Sequence, residues 1–320
     1  FKQKTAYEIM PSLVGSEMCI RDRFQEGREL FAGAIEPLRA RGEGGLLLAK
    51  VLVRAGRFLH ALGASREAKP LMEEGLTLAR ELGDAREIAF ALTSLGELTS
   101  FFGDHAAAEG LLREALELYR ESEDRPGIAA ALNVLGTVAW KLGRYEDAKE
   151  LYQEGVAIER ELGDRRGMAL ALNNLGIIHG LLGELEEARR LFTEGLTISE
   201  ELGDLPSMSR CLNNLGVVAT KLGDLEQARE FHERGLAIER ETGNRTGIAG
   251  SLSNLGNLAY RLEDYGEAKR LYLESLRVRR ETGDSLGEII SLMNLSEAVS
   301  YTHLRAHETR HDLVCRLLLE

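Results

Sequence analysis

The chain has 320 residues, and its 40 Lys and Arg stand against 52 Asp and Glu, a net charge of −12. That acidity disfavours contact with a phosphate backbone, so no direct nucleic-acid binding is expected. No apolar run approaches the ~20 residues that cross a bilayer, so no membrane partner is expected either, and a cytoplasmic setting is.

The two ends are related to each other at the level of DNA. Met10 and Met18 have the single codon ATG, whose reverse complement encodes His, and His311 and His303 stand where paired numbers sum to 321. Cys19 pairs likewise with Thr302, Tyr7 with Val314, Ala6 with Cys315 and Phe1 with Glu320; all 22 pairs to Asp22/Val299 can be satisfied. Selection on a folded protein gives no reason for such an inversion. Residues 1–23 and 299–320 are therefore expected to be translated sequencing adapter, excluded from fold reasoning as a fusion scar would be. The remaining 24–298 are expected to be an internal fragment of a longer, metagenomic chain. Without the seven basic and six acidic residues of the ends, 33 and 46 remain, a net charge of −13. Cys211 is then the sole natural cysteine, which excludes a disulfide framework and fits a reducing compartment.

The elements are predicted in chain order as follows. Residues 24–41, with "EGRELFAGAIEPLRA" at 26–40, form a lone second helix, and "GEGG" (42–45) is a helix–helix turn. Six complete helical pairs follow between about 46 and 282, and a first helix occupies about 287–298. The pairs are set by one register of forty residues: Leu52, Leu92, Leu132, Leu172, Leu212, Leu252 and Leu292; a second leucine row from Leu95 to Leu295; Gly96 to Gly256; and Ala68 to Ala268. In the third pair Leu132, Leu135, Gly136, Ala139 and Leu142 make one apolar helical stripe, and Ala148, Leu151, Tyr152, Val156 and Ile158 make the next. Gly143 ends the first of these helices. At "ELGD" (161–164) Gly163 is expected to be left-handed and Asp164 to cap the following helix. Pro126 and Pro206 sit in first turns, where the missing N–H costs little. Gly136 is expected to let the partner helix approach closely. One hairpin cannot bury its stripe alone, so neighbours must stack into an all-α solenoid.

These rows resemble the tetratricopeptide repeat family: Leu135-Gly136, Ala139, Ala148 and Tyr152 match its Leu-Gly, small, Ala and aromatic positions. The resemblance implies that the solenoid is right-handed. Leu132 departs from the family's frequent Trp, the late Pro is absent, and the period is 40 rather than ~34. The longer period resembles repeats of kinesin light chains and of spindle-orientation adaptors, and Pro70 looks like a proline of kinesin light chain repeats. "ARELGD…ALTSLG" (79–96) is similar to the C-terminal arrays of bacterial STAND-type signalling ATPases.

Leu132, Leu135, Gly136 and Ala139 face the core, so their neighbours face elsewhere. In the family that other face of the first helix lines a concave groove. The resemblance places Asn133, Asn173, Asn174, Asn213, Asn214, Asn254 and Asn257 on it, followed by Trp140, Lys141, Lys221, Tyr260 and Arg261. An amide offers both a donor and an acceptor, and a ladder of amides can hold an extended peptide backbone. The alternative is that the amides bridge adjacent repeats. Lys141, Lys221 and Arg261 favour an acidic peptide, or are solvated rim charges. Trp140 and Tyr260 stack on a ligand side chain, or pack between repeats.

No Walker-type or H-E-x-x-H motif is present. His60, His105, His179 and His232 lack ligand spacing, Cys211 reads as a small hydrophobe, and the Glu/Arg runs are solvated helix faces. No catalytic residue, metal or cofactor is expected. Two functions remain open: a scaffold binding a protein or peptide partner, and an effector-sensing regulatory arm of a signal-transduction ATPase or transcriptional regulator whose fused domain lies outside this sequence.

Overall fold

The computed structural model describes residues 24–41 and 45–317, with side chains for 27–40 and 45–301. Among the described residues there are fourteen helices and no strand. They are α1 (Phe24–Arg41), α2 (Gly45–Ala61), α3 (Ser65–Leu82), α4 (Ala85–Phe101), α5 (His105–Glu121), α6 (Arg125–Lys141) and α7 (Tyr145–Leu162). Then come α8 (Arg165–Leu181), α9 (Leu185–Leu202), α10 (Leu205–Leu222), α11 (Leu225–Thr242), α12 (Arg245–Arg261), α13 (Tyr265–Thr282) and α14 (Ser285–Leu317). The six expected pairs are α2/α3 to α12/α13, and α1 is the unpaired second helix. No helix among the described residues is long and apolar enough to cross a membrane. Residues 1–23 and 42–44, where one adapter segment and most of the first turn were placed, lie outside the described residues.

The helices stop where chemistry tells them to. Positive φ recurs every twenty residues, at Gly63, Gly83, Gly103, Gly143, Gly163, Gly183, Gly203, Gly223, Gly243 and Gly283. Glu123 and Glu263 hold the same register with φ of 52° and 61°. After most of the left-handed residues an Asp or Asn accepts from the backbone N–H three residues on, as Asp84 does from Glu87 at 2.8 Å and Asp164 from Gly167 at 3.0 Å, whereas Ala64, Arg144 and Glu184 make no side-chain cap. Each such cap contributes about 1 kcal/mol. One boundary differs from expectation: α14 runs on to Leu317 instead of ending near 298. After Gly287 the sequence contains neither Gly nor Pro, so nothing stops it.

The chain forms two compact units, up to Ala171 and from Leu172, the division falling inside α8. In the first, Leu92, Leu132, Leu112 and Met72 are wholly buried among Val53, Leu95, Leu98 and Ile128. In the second, Leu212, Leu215 and Phe192 make one cluster, and Leu252, Leu255, Tyr272 and Leu271 another. The glycine row works differently from expectation. A Cβ on Gly136 would stand 2.8 Å from the Tyr152 ring, and Gly176 and Gly256 lie equally close under Phe192 and Tyr272. The missing side chain makes room for the ring sixteen residues on.

Consecutive hairpins meet at a second small-against-large joint. Tyr119, Glu159, Glu239 and Arg279 each have glycine eight residues later, at Gly127, Gly167, Gly247 and Gly287, and a Cβ there would collide with the earlier side chain. Where the earlier residue is small, as at Ala79 and Ser199, the later one is Glu87 or Ser207. Volume is kept nearly constant at this joint, as close packing requires.

Candidate functional site

First-helix residues that avoid the core make up the candidate face. In the unit ending at Ala171, Asn133 is half-buried on α6, Trp140 is exposed, and Lys141 donates from Nζ to Ser100 Oγ at 3.3 Å. Thr137 Oγ1 lies 2.9 Å from the Tyr152 hydroxyl, whose pKa burial pushes up to about 12. One group escaped the sequence reading. Arg54 and Arg57, a turn apart on α2, lie over the Phe90 ring of α4 at 4.5 and 5.2 Å from its centroid. Arg54 is paired with the buried Glu87 at 2.8 Å. Arg57 is exposed and makes no ion pair among the described residues. The ring contact holds its guanidinium beside Phe90 while the side chain stays exposed. The signal was available, since Lys50, Arg54 and Arg57 occupy rungs that read Phe90, Ser94 and Glu97 one repeat later.

In the unit from Leu172 the amides divide into two sets. Asn173 is buried; its Oδ1 accepts from Asn214 Nδ2 at 2.9 Å and its Nδ2 donates to Asn174 Oδ1 at 3.4 Å. Asn213 donates to Glu239 Oε1 at 2.8 Å, while Ser251 Oγ stands 2.8 Å from its Oδ1 and 2.6 Å from Glu239 Oε2. Asn213 thus ties α10, α11 and α12 together, which is the bridging alternative for this residue. Burial raises the Glu239 pKa, and the Ser251 and Asn213 hydrogen bonds oppose that shift. Burial also lowers the nearby His232 to about 4. Asn257 accepts from the Tyr272 hydroxyl at 2.8 Å and from Asn294 at 3.4 Å. Asn254, half-buried on α12, makes no side-chain hydrogen bond among the described residues.

The cations of this unit reach backwards. Lys221 Nζ donates to the Gly180 carbonyl at 3.3 Å and Arg261 Nη1 to the Thr220 carbonyl at 2.7 Å. Each meets a carbonyl in the last turn of the preceding first helix, where positive charge is favoured. Both remain exposed, so they fasten repeats while keeping charge at the rim. Tyr260 packs edge-on to Tyr265 at 5.5 Å and to Tyr301 at 5.8 Å. Tyr301 falls in the segment expected to be adapter-encoded. Cys211 is buried 4.0 Å from Asn173 Oδ1, and burial pushes its thiol up to about 11, so it is no ready nucleophile. Among the described residues no three His, Cys, Asp or Glu are placed to hold a metal ion.

The chain is similar in structure to several solved proteins. BtubC (BKLC) from P. vanneervenii is 25% identical, with a TM-score of 0.60 over 69% of this chain and 92% of that one. The signal transduction ATPase PH0952 from Pyrococcus horikoshii, which has a tetratricopeptide repeat sensor, is 15% identical with a TM-score of 0.70. That match covers 98% of this chain and 49% of the ATPase, so the chain spans about half its length. Aspartyl phosphate phosphatase F from Bacillus subtilis is 15% identical, with a TM-score of 0.59 over 93% and 85%. No curated protein matches in sequence. The tetratricopeptide repeat family matches residues 47–121, 87–161, 167–241 and 247–306. With these matches laid over six hairpins in one register, the chain belongs to the tetratricopeptide repeat family.

Proposed function

We propose that the chain is a non-catalytic protein-interaction scaffold that holds a peptide or partner segment on the outward face of its first helices. Asn254 carries this reading. It stands in register with Asn174 and Asn214 and has an uncommitted amide, which suits the alternating donors and acceptors of an extended backbone. Asn173 and Asn213, one residue earlier in each rung, hold the repeats, and Asn214 reaches back to Asn173, so Asn254 is the amide of this row with the outer role. The partner is acidic: Arg57 offers an exposed guanidinium in the first unit, and Lys221 and Arg261 keep their charge exposed in the second.

Fluorescence anisotropy with labelled acidic peptides tests this. Asn254→Ala and Asn174→Ala are expected to weaken binding about tenfold each, roughly 1.4 kcal/mol, with thermal unfolding unchanged. Affinities indifferent to both substitutions would remove the amide row from the site. The second reading, a sensor arm of a larger ATPase or regulator, takes its support from the match of 98% of this chain to half of PH0952, a protein with a tetratricopeptide repeat sensor. Flanking genomic sequence decides it, since a nucleotide-binding domain must then lie in the same gene.

A further inference from the structure

The two outermost helices carry complementary unpaired faces. In the hairpin α2/α3 the second helix covers residues 49, 52, 53 and 56: a Cβ on Gly75 would stand 2.6 Å from Val53 and 3.0 Å from the Ala49 carbonyl, and Met72 lies over Gly56. The same register on α14 gives Ile289, Leu292, Met293 and Ser296. Leu292 is 41% exposed, although its six equivalents from Leu52 to Leu252 are at most 1% exposed. Ile289 and Met293 are 55% and 64% exposed. No helix among the described residues lies over them.

At the other end α1 has the pattern of a second helix. Aligned on Gly83, the residues equivalent to Leu71, Met72, Gly75 and Leu76 are Leu30, Phe31, Ala34 and Ile35. Ile35 is buried against Leu48, Val51 and Leu52 of α2, but Phe31 is only half-buried and Leu30 is 39% exposed. Residues at the Phe31 position are fully covered in every complete hairpin, as Met72, Tyr152, Phe192 and Tyr272 show.

We infer that this polypeptide associates head to tail, with α1 of a second copy docking on α14 as the second helix of a hairpin formed between molecules. The occupant is a second copy because the chain itself covers this same surface with a second helix six times, and α1 is a second helix whose face is only partly covered among the described residues, Phe31 meeting the Phe58 ring at 5.4 Å and Leu30 lying exposed. The contact joins two different surfaces, so it leaves one of each unfilled at the ends of every dimer and continues into longer assemblies. Ser296 limits the fit. It stands where the complete hairpins have glycine beneath the residue equivalent to Phe31 and holds the docked helix outward.

Sedimentation velocity on the full chain tests the inference, with circular dichroism to confirm helix content. The average mass is expected to rise with concentration, and Leu292→Glu and Leu30→Glu are each expected to be monomeric. An equimolar mixture of the two has one intact α14 face and one intact α1 face, so it should give a 1:1 complex and nothing larger. Ser296→Gly should tighten assembly several-fold. A full chain that stays monomeric at its highest soluble concentration overturns the inference. So does a Leu30→Glu variant that still self-associates, which would mean that α14 pairs with α14, or a Ser296→Gly variant with unchanged affinity. If Leu292→Glu loses helix content, Met293→Lys at the most exposed of these positions takes its place.

Discussion

The two compact units are built on one register and share one kind of joint, a glutamate beneath a glycine (Glu159 under Gly167, Glu239 under Gly247), but fill others with different chemistry. Among the described residues the unit ending at Ala171 buries four polar side chains, Ser65, Glu87, Ser94 and Ser100, whereas the unit from Leu172 buries eleven. Beneath Gly127 the first unit places the Tyr119 ring, whose hydroxyl is hydrogen-bonded with Thr93. Beneath Gly247 the second places the Glu239 carboxyl, bound to Ser251 and Asn213. Over Gly136 lies Tyr152; over Gly216 lies His232. Backbone spacing therefore does not dictate how a joint is filled. Shape-filling carbon and a satisfied polar network both work, but only the second makes stability depend on protons.

The largest test of this contrast is acid. His232 has its folded pKa lowered to about 4 from 6.5, so its contribution is complete above the unfolded value and is lost as pH falls toward the folded one. The full shift corresponds to about 3 kcal/mol. Hydrogen exchange at pH 7 and pH 4.5 should show α10–α12 loosening while α4–α6 hold, and His232→Phe, the residue found at 192, should abolish the difference. Equal loosening of both regions would break the contrast. Glu239 has the opposite sign: its raised folded pKa contributes stability at low pH that is lost as pH rises through that value.

A smaller effect is expected from Asn213→Ala, which deprives the buried Glu239 of a donor and should cost about 2 kcal/mol by urea denaturation. A residue that served only a ligand would leave the denaturation midpoint unmoved. The smallest effect sharpens the contrast from the other side, because the turns of both units are alike. Glu123→Gly and Glu263→Gly each relieve a left-handed non-glycine residue. Both should stabilise by up to about 1 kcal/mol and to the same degree; unequal gains would mean that the units differ in their turns as well as their joints.

Much of the fold was legible because helix period, left-handed glycines and capping Asp are local signals, repeated until chance is implausible. The bounds of α6 or α7 needed only Gly143, Gly163 and Asp164. Legibility failed where partners are distant or where two residues trade volume. The Tyr119/Gly127 exchange spans a turn. The Asn213–Glu239 bond joins two helices whose separation nothing in the spacing announces. Asparagines of neighbouring rungs looked alike, yet Asn213 is bound on several sides and Asn254 makes no side-chain hydrogen bond among the described residues. The basic side chains were legible as exposed, but not as cations seated on carbonyls of the preceding helix.

By itself, then, the sequence determined the helical hairpin, its forty-residue register and the face each leucine takes, since those follow from dihedral preferences and the periodicity of burial along a single helix. Only the tertiary structure decided which polar groups are consumed within the protein and which stay uncommitted. That outcome depends on side-chain atoms from two or three helices coming within 3 Å of one another, and no one-dimensional pattern contains those distances.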